Sequence, residues 1–216
     1  MKQSTRSKEE KRSYRSPMRQ RQAEETRQRI LGTARSLLAR QGYAGMTIEA
    51  IAEAAEVSPK TVTAVIGSKR ELLAELVRPE AFDEPIQQLL TRLRTIEDPR
   101  QRVELVVTIS RSVYESLMQE FELLRTAGVV AAELAELARH IETRRRGRQS
   151  YLITDLHKRN ALRTGLTSEE ALDVLWSLTS YDMYRLLVVE QRWSTARYET
   201  WLSTLLIDQL LQPING

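Results

Sequence analysis

Apolar positions recur at helical spacing along almost the whole chain. From Glu24 onward Ile30, Ala34, Leu37 and Leu38 share one face, and Gly42 supplies a stop. Thr47 then caps a second helix in which Ile48, Ile51, Ala52 and Ala55 share a face. After a turn at Glu56–Val57 comes a third helix. It opens on Ser58 and Pro59, carries Val62, Val65 and Ile66 on one face, and stops at Gly67 after barely two turns. Ser68 and Glu71 have the spacing of a capping box for a fourth helix. Helical pattern fills the remainder, with breaks near Arg78–Pro79, Glu97-Asp98-Pro99, Gly128, Thr164–Gly165 and Trp193–Ser194. Residues 129–163 hold no strong breaker except Gly147, Thr167 and Glu170 form a second capping box, and Ser194 caps a last helix ending at Pro213. The alternation of a strand is almost absent, so the pattern predicts an all-α chain of about nine helices.

The shortness of the third helix is informative. A turn of a few residues makes it cross the second helix steeply, as in a helix-turn-helix over residues 47–66. With Val62, Val65 and Ile66 turned inward, Lys60, Thr61 and Thr63 face outward, and these suit base edges and phosphates better than a core. A helix that enters the major groove N-terminus first needs only about two turns. Ser68 and Lys69 would then set a new helix N-terminus against a phosphate oxygen. A plain helical hairpin inside a bundle fits the same periodicity.

Charge sharpens the choice. Residues 1–78 hold 16 Lys and Arg against 9 Asp and Glu, whereas residues 79–216 hold 17 against 20. A basic end joined to a slightly acidic body points to a polyanion partner at that end. Residues 1–22 carry eight basic residues with little that is apolar, which predicts a disordered basic arm. The expected organisation is therefore an arm (1–22), a DNA-binding domain (23–78) and a helical body (79–216).

The stretch "TRQRILGTARSLLARQGYAGMTIEAIAEAAEVSPKTVTAVIGSKREL", residues 26–72, resembles the DNA-binding domain of the TetR family of bacterial transcriptional regulators. Ile30, Leu31, Ala34, Leu37, Gly42, Tyr43, Thr47, Ile51, Ala52, Ala55, Val57, Ser58, Thr61, Val62, Ser68, Lys69 and Leu72 carry the resemblance. Residues 175–206 are similar, less specifically, to the effector and dimerisation domain of one branch. The resemblance implies a three-helix DNA-binding head, a C-terminal ligand-binding and dimerisation domain, and DNA contacts from Thr47, Ser58, Lys60, Thr61, Thr63, Ser68 and Lys69. The chain departs from the family in having Thr63 where a phosphate-contacting tyrosine is usual, Val65 and Ile66 where a polar and an aromatic residue are usual, and Glu56 where glycine is usual.

Little else suggests chemistry. His140 and His157 stand about 26 Å apart on a straight helix, so they cannot share a metal. There is no cysteine, no Gly-rich phosphate loop and no serine elbow. No enzyme, metal or cofactor is expected. Neither a membrane span nor the apolar core of a signal peptide is present, which predicts a cytoplasmic protein. Arg111, Tyr114, Glu115, Met118 and Trp176 mix polar and apolar groups as a small-molecule pocket does, against an ordinary core-and-surface reading. Leu175, Leu178, Leu186, Trp201 and Leu205 exceed what one covered face needs and predict a homodimer through the last two long helices. The arginine run at 144–148 reads as a solvated helix face or a second nucleic-acid contact.

Two functions stand. One is an operator-binding regulator, a repressor released by a small molecule that shifts the fourth helix like a lever. The other is a ligand-binding or protein-interaction bundle of the same fold with weak or lost operator binding. If the first holds, each phosphate neutralised contributes about −0.9 to the log–log salt slope of binding. Removing residues 1–20 is expected to flatten that slope and weaken all sequences alike, as read by fluorescence anisotropy across a salt series. A change in sequence preference alone would mean that the arm reads bases.

Overall fold

The structure is a computed structural model that describes residues 4–78, 82–127 and 132–213, without the side chains of residues 4–17, 19, 20, 127 and 133. The chain divides into two compact units, residues 1–78 and 79–216.

In the first unit, α1 spans Ser4–Gly45, α2 Ile48–Ala54, α3 Pro59–Val65 and α4 Lys69–Leu76. The backbone is helical from Ser4, where the sequence predicts a disordered arm; Lys, Arg, Glu and Gln dominate that stretch, and all are good helix formers. The charged side chains expected to act there lie outside the described residues. At Gly42 the chain leaves helical geometry, with φ at 67°, so the expected stop sits inside the bounds of α1. One face of α1 buries Ile30, Leu31, Ala34, Leu37 and Leu38, and the short helices add Ile51, Ala52, Val62, Leu72, Leu73 and Leu76 to the buried set. Glu75 on α4 binds Arg27 of α1 and lies 2.7 Å from Arg78. Helices this short are not stable alone, so their order comes from this shared core and from their caps.

The second unit holds α5 (Glu84–Leu93), α6 (Pro99–Ser116), α7 (Met118–Ala127), α8 (Ala132–Lys158), α9 (Ser168–Leu178), α10 (Tyr181–Tyr184) and α11 (Thr195–Leu210). A π-helical segment, Arg185–Glu190, continues α10. Helix α6 packs on α5 and α11, and α8 packs on α7 and α9. Between them lies a core that includes Val103, Val107, Leu156, Leu175, Leu202, Leu206 and Leu210. Among the described residues there is no strand, only an isolated bridge between Leu162 and Leu211. No helix among them is long and apolar enough to cross a membrane.

The fold is all-α. Two stretches whose pattern reads as continuous are each broken. Helix α6 ends at Leu117, and α7 starts at once on Met118. The break after Leu178 has a visible cause in Thr179, which is fully buried. Arg145 of α8 donates to the carbonyls of Trp176 (2.9 Å) and Thr179 (3.4 Å) and to the Thr179 hydroxyl (3.2 Å). Gln149 Nε2 donates to the same hydroxyl at 2.7 Å, and the Tyr114 hydroxyl donates to the Thr179 carbonyl at 2.8 Å. Carbonyls at the end of a helix need donors, and here three other residues supply them. Ser180 then caps α10, its side chain accepting from the Met183 amide.

Replacing Arg145 with Ala would leave these buried carbonyls and Glu142 without their donor. We expect a loss of about 3 kcal/mol in stability, measured by urea denaturation with circular dichroism. Arg144→Ala, one position along and exposed, should stay within about 0.5 kcal/mol of the parent.

Candidate nucleic-acid interface

The turn between α2 and α3 follows from how α2 ends. The Val57 amide donates to the Ala52 carbonyl at 2.9 Å and the Glu56 amide to the Glu53 carbonyl at 3.1 Å, the pair of bonds that defines a Schellman motif. That motif places its central residue in the left-handed region, and Glu56 sits there with φ at 53°. Glycine is usual at such a position because it has no Cβ to clash.

Each helix of the motif starts on a side-chain cap. Thr47 Oγ1 accepts from the Ala50 amide at 3.0 Å. Ser58 Oγ accepts from the Thr61 amide at 3.0 Å and lies 2.8 Å from the Thr61 hydroxyl. Pro59 occupies the first turn, where a missing N–H costs nothing. Val62 is buried, which fixes the rotation of α3 and leaves Lys60 and Thr63 exposed and Thr61 half-buried. Thr63 donates its hydroxyl proton to the Pro59 carbonyl at 3.1 Å, so its oxygen presents lone pairs outward.

The start of α4 is more constrained than its sequence indicates. Gly67 has φ at 100°, and the Glu71 carboxylate fills the space a Cβ would need there. The Ser68 amide donates to that carboxylate at 2.6 Å, and the Glu71 amide donates to Ser68 Oγ at 3.2 Å. The Ser68 backbone bond, then its hydroxyl, hold the Glu71 carboxyl below the usual carboxylate range. A depressed pKa means the box stabilises the fold above the ordinary carboxylate range and is lost as pH falls through the lowered value. Ser68 therefore has both its amide and its hydroxyl engaged within the box. Lys69 Nζ donates to the Tyr43 carbonyl and lies 3.8 Å from the centre of the Tyr43 ring. Its ammonium ties the start of α4 to the end of α1, a role its spacing did not reveal.

The residues expected to form an effector pocket do not converge. Arg111 binds Glu115 and, at 2.7 Å, Glu199 of α11. With Asp83, Ile86 and Leu89, Arg111 and Glu115 line an open groove of about 320 Å³ between α5 and α6. Tyr114 instead lies in a buried ring cluster, 5.0 Å from Phe121 and 5.5 Å from Tyr181 by centroid. Tyr184 extends the cluster to Tyr198 at 5.4 Å. These rings meet mostly edge to face, the arrangement their quadrupoles prefer. Burial pushes the Tyr114 and Tyr198 phenols up, and that of Tyr181 to about 12. The Tyr198 hydroxyl is buried with no hydrogen-bond partner among the described residues. Neither Phe121 nor Tyr198 stands out in the sequence, since only tertiary packing brings them to Tyr114. Met118 is exposed, and the Trp176 ring lies under the guanidinium groups of Arg145 (5.4 Å) and Arg146 (5.6 Å).

Of the expected dimer residues, Leu175 needs correction. It is completely buried in its own protomer, because α9 turns that face onto the core, so its side chain cannot meet a second copy. Leu178, Trp201 and Leu205 are half-buried, and Leu186 is exposed beside Val189. Among the described residues no group of His, Asp and Glu could hold a metal ion.

If the left-handed turn strains Glu56, Glu56→Gly should stabilise the protein by about 1 kcal/mol in thermal denaturation. Glu56→Gln, which keeps the Cβ, should give no such gain. Equal effects would assign the gain to charge instead.

Residues 30–76 match the family model described as bacterial regulatory proteins, tetR family. No curated protein sequence matches the chain. Among solved structures, a candidate transcriptional regulator from Saccharomonospora viridis in complex with choline superposes with a TM-score of 0.65 at 21% identity, covering 88% of this chain and 100% of that one. The transcriptional regulator FadR from Bacillus subtilis, in complex with stearoyl-CoA, gives 0.64 at 15% identity, covering 83% and 96%. A TetR transcription regulator from Haloarcula marismortui gives 0.64 at 19% identity, covering 88% and 100%. At such identities these structures establish the shared fold, and the family rests on the head: by residues 30–76 the chain is a member of the tetR family of bacterial regulatory proteins.

Proposed function

We propose that the protein is a cytoplasmic, homodimeric repressor that reads operator DNA with α3 and is released when a small molecule binds within residues 79–216. The observation that carries the reading is α3 itself: two turns, capped by Ser58, anchored by buried Val62, with Lys60, Thr61 and Thr63 on the outer side. Thr61 and Thr63 are the base readers, Lys60 neutralises a phosphate, and Thr47, Ser58 and the α4 start with Ser68 and Lys69 lie along the backbone. A symmetric dimer reads two half-sites only if its α3 helices stand about 34–36 Å apart, or a further helical turn beyond. The exposed Leu186 and Val189, with half-buried Leu178, Trp201 and Leu205, supply apolar surface for the second copy.

A bound ligand in two structural relatives supports an effector here, although choline and stearoyl-CoA are chemically unlike and neither is carried over to this chain. The groove between α5 and α6 and the ring cluster around Tyr114 are the places to look. A ligand that lowers operator affinity tenfold must prefer the non-binding spacing by about 1.4 kcal/mol, and operator must weaken ligand binding by the same factor.

Footprinting on the chain's own upstream DNA, followed by affinity measurements on base-substituted operators, tests this reading. Thr61→Ala and Thr63→Ala should each cost about 1–3 kcal/mol at one base position and shift operator preference. Lys60→Ala and Lys69→Ala should weaken every operator alike, and Lys69→Ala should also lower the melting temperature through its bond to Tyr43. Equal losses on all operators for all four variants would refute base reading by the threonines. Unchanged ligand affinity in the presence of operator would refute the coupling, and tighter binding would reverse its sign.

A further inference from the structure

The arginine run at 144–148 divides in two when folded. Arg145 and Arg146 turn inward, Arg145 to the end of α9 and Arg146 to Asp173 at 2.5 Å. Arg144 remains on the outer side of α8 as part of a longer row. His140, Arg144, Gly147, Tyr151, Thr154 and Lys158 are all exposed, and they follow one another at intervals of four, three, four, three and four residues. That alternation is the seam along which one helix accepts another. The row runs about 27 Å, or five turns.

Three features say what would lie on it. The first is charge. Between Arg139 and Lys158 the only acids on α8 are Glu142 and Asp155, and both are held in ion pairs, with Arg145 at 2.7 Å and Arg159 at 2.8 Å. The exposed seam is thus basic with no acid along it, although the unit that carries it is acidic in sum. Two copies of the same row would repel, which argues against self-association through this face. The second is shape. A Cβ on Gly147 would meet nothing within 4 Å, and Thr143 and Thr154 beside it are small, so a partner backbone can approach closely at mid-row. The third is an anchor. Tyr151 is 77% exposed in the middle of the row, and an exposed tyrosine flanked by arginine is the composition of an interface hot spot.

We propose that the outer face of α8 docks an acidic amphipathic helix of a partner protein, with Tyr151 as the anchor and Arg144 and Lys158 pairing with its carboxylates. A single-stranded nucleic acid would need several ring platforms, and here there is one. Duplex phosphates follow a curved path, whereas this row is straight. A lipid surface would need large apolar side chains to insert, and the row has none besides Tyr151.

The test uses the full-length protein and a dye-labelled helical peptide of about twenty residues, with glutamates at alternating three- and four-residue spacing. The parent should bind it measurably by fluorescence anisotropy. Tyr151→Ala, and separately the double variant Arg144→Glu with Lys158→Glu, should each weaken binding roughly tenfold or more. All of these positions are exposed, and an unchanged melting curve confirms that the variants fold. No binding by the parent, or binding that survives both sets of substitutions, overturns the proposal. So does a double variant whose only change is a smaller salt slope on non-operator duplex, which would make the face a DNA contact. Loss of sedimentation with phosphatidylserine vesicles, with peptide binding intact, would likewise overturn it in favour of a membrane.

Discussion

A chain built from short helices has many ends, and every start leaves backbone amides that the helix itself cannot satisfy. Here a side chain answers that need at each turn of the path. Thr47, Ser58, Ser68, Asp83, Asp98, Thr167, Ser180 and Ser194 each accept a bond from an amide in the first turn of the helix that follows. The DNA-reading head depends on this most, because α2, α3 and α4 have only 7, 7 and 8 residues. None of them could persist on propensity. Fixed at its start by Ser58 and at its side by Val62, α3 holds one rotation, and that rotation decides which residues can meet a groove.

Caps are local in sequence, and so they are legible. Ser58-Pro59, Ser68 with Glu71, and Thr167 with Glu170 mark their helices from spacing alone, and both capping boxes are present in the structure. The outer set on α3 follows from the same spacing once the apolar face is known. What spacing does not carry is a helix end satisfied from elsewhere. Thr179 ends α9 because residues 30 to 65 positions away donate to it. Lys69 is a similar case: it occupies the place of a phosphate ligand, yet it is bonded to a carbonyl 26 residues earlier. Leu175 has the same composition and spacing as its neighbours on α9, and only the tertiary path shows that it faces inward.

The two ends of the body's polar network also differ in kind. Around Thr179 the donors and acceptors are buried and matched, with Arg145 satisfying three acceptors at once. Around Arg111 the network is open to one side, where its guanidinium joins Glu115, Glu199 and Ser112 along the groove beside α5. A matched, buried node resists rearrangement, since breaking one bond strands the others. An open one can exchange a protein partner for a solvent or ligand group at low cost. Within residues 79–216, rearrangement is therefore easier on the α5–α6 side than at the junction of α8 with α9.

The distribution of indole rings separates the two units optically. All three tryptophans, Trp176, Trp193 and Trp201, belong to residues 79–216. Trp176 lies beneath two guanidinium groups, and Trp193 packs edge-on against Trp201 at 5.6 Å, with Arg197 above it at 3.8 Å. Ultraviolet emission excited at the red edge, where tyrosine does not absorb, therefore originates in the body alone. The parent protein carries its own spectroscopic label on the side where an effector would act, and none on the side that would touch DNA.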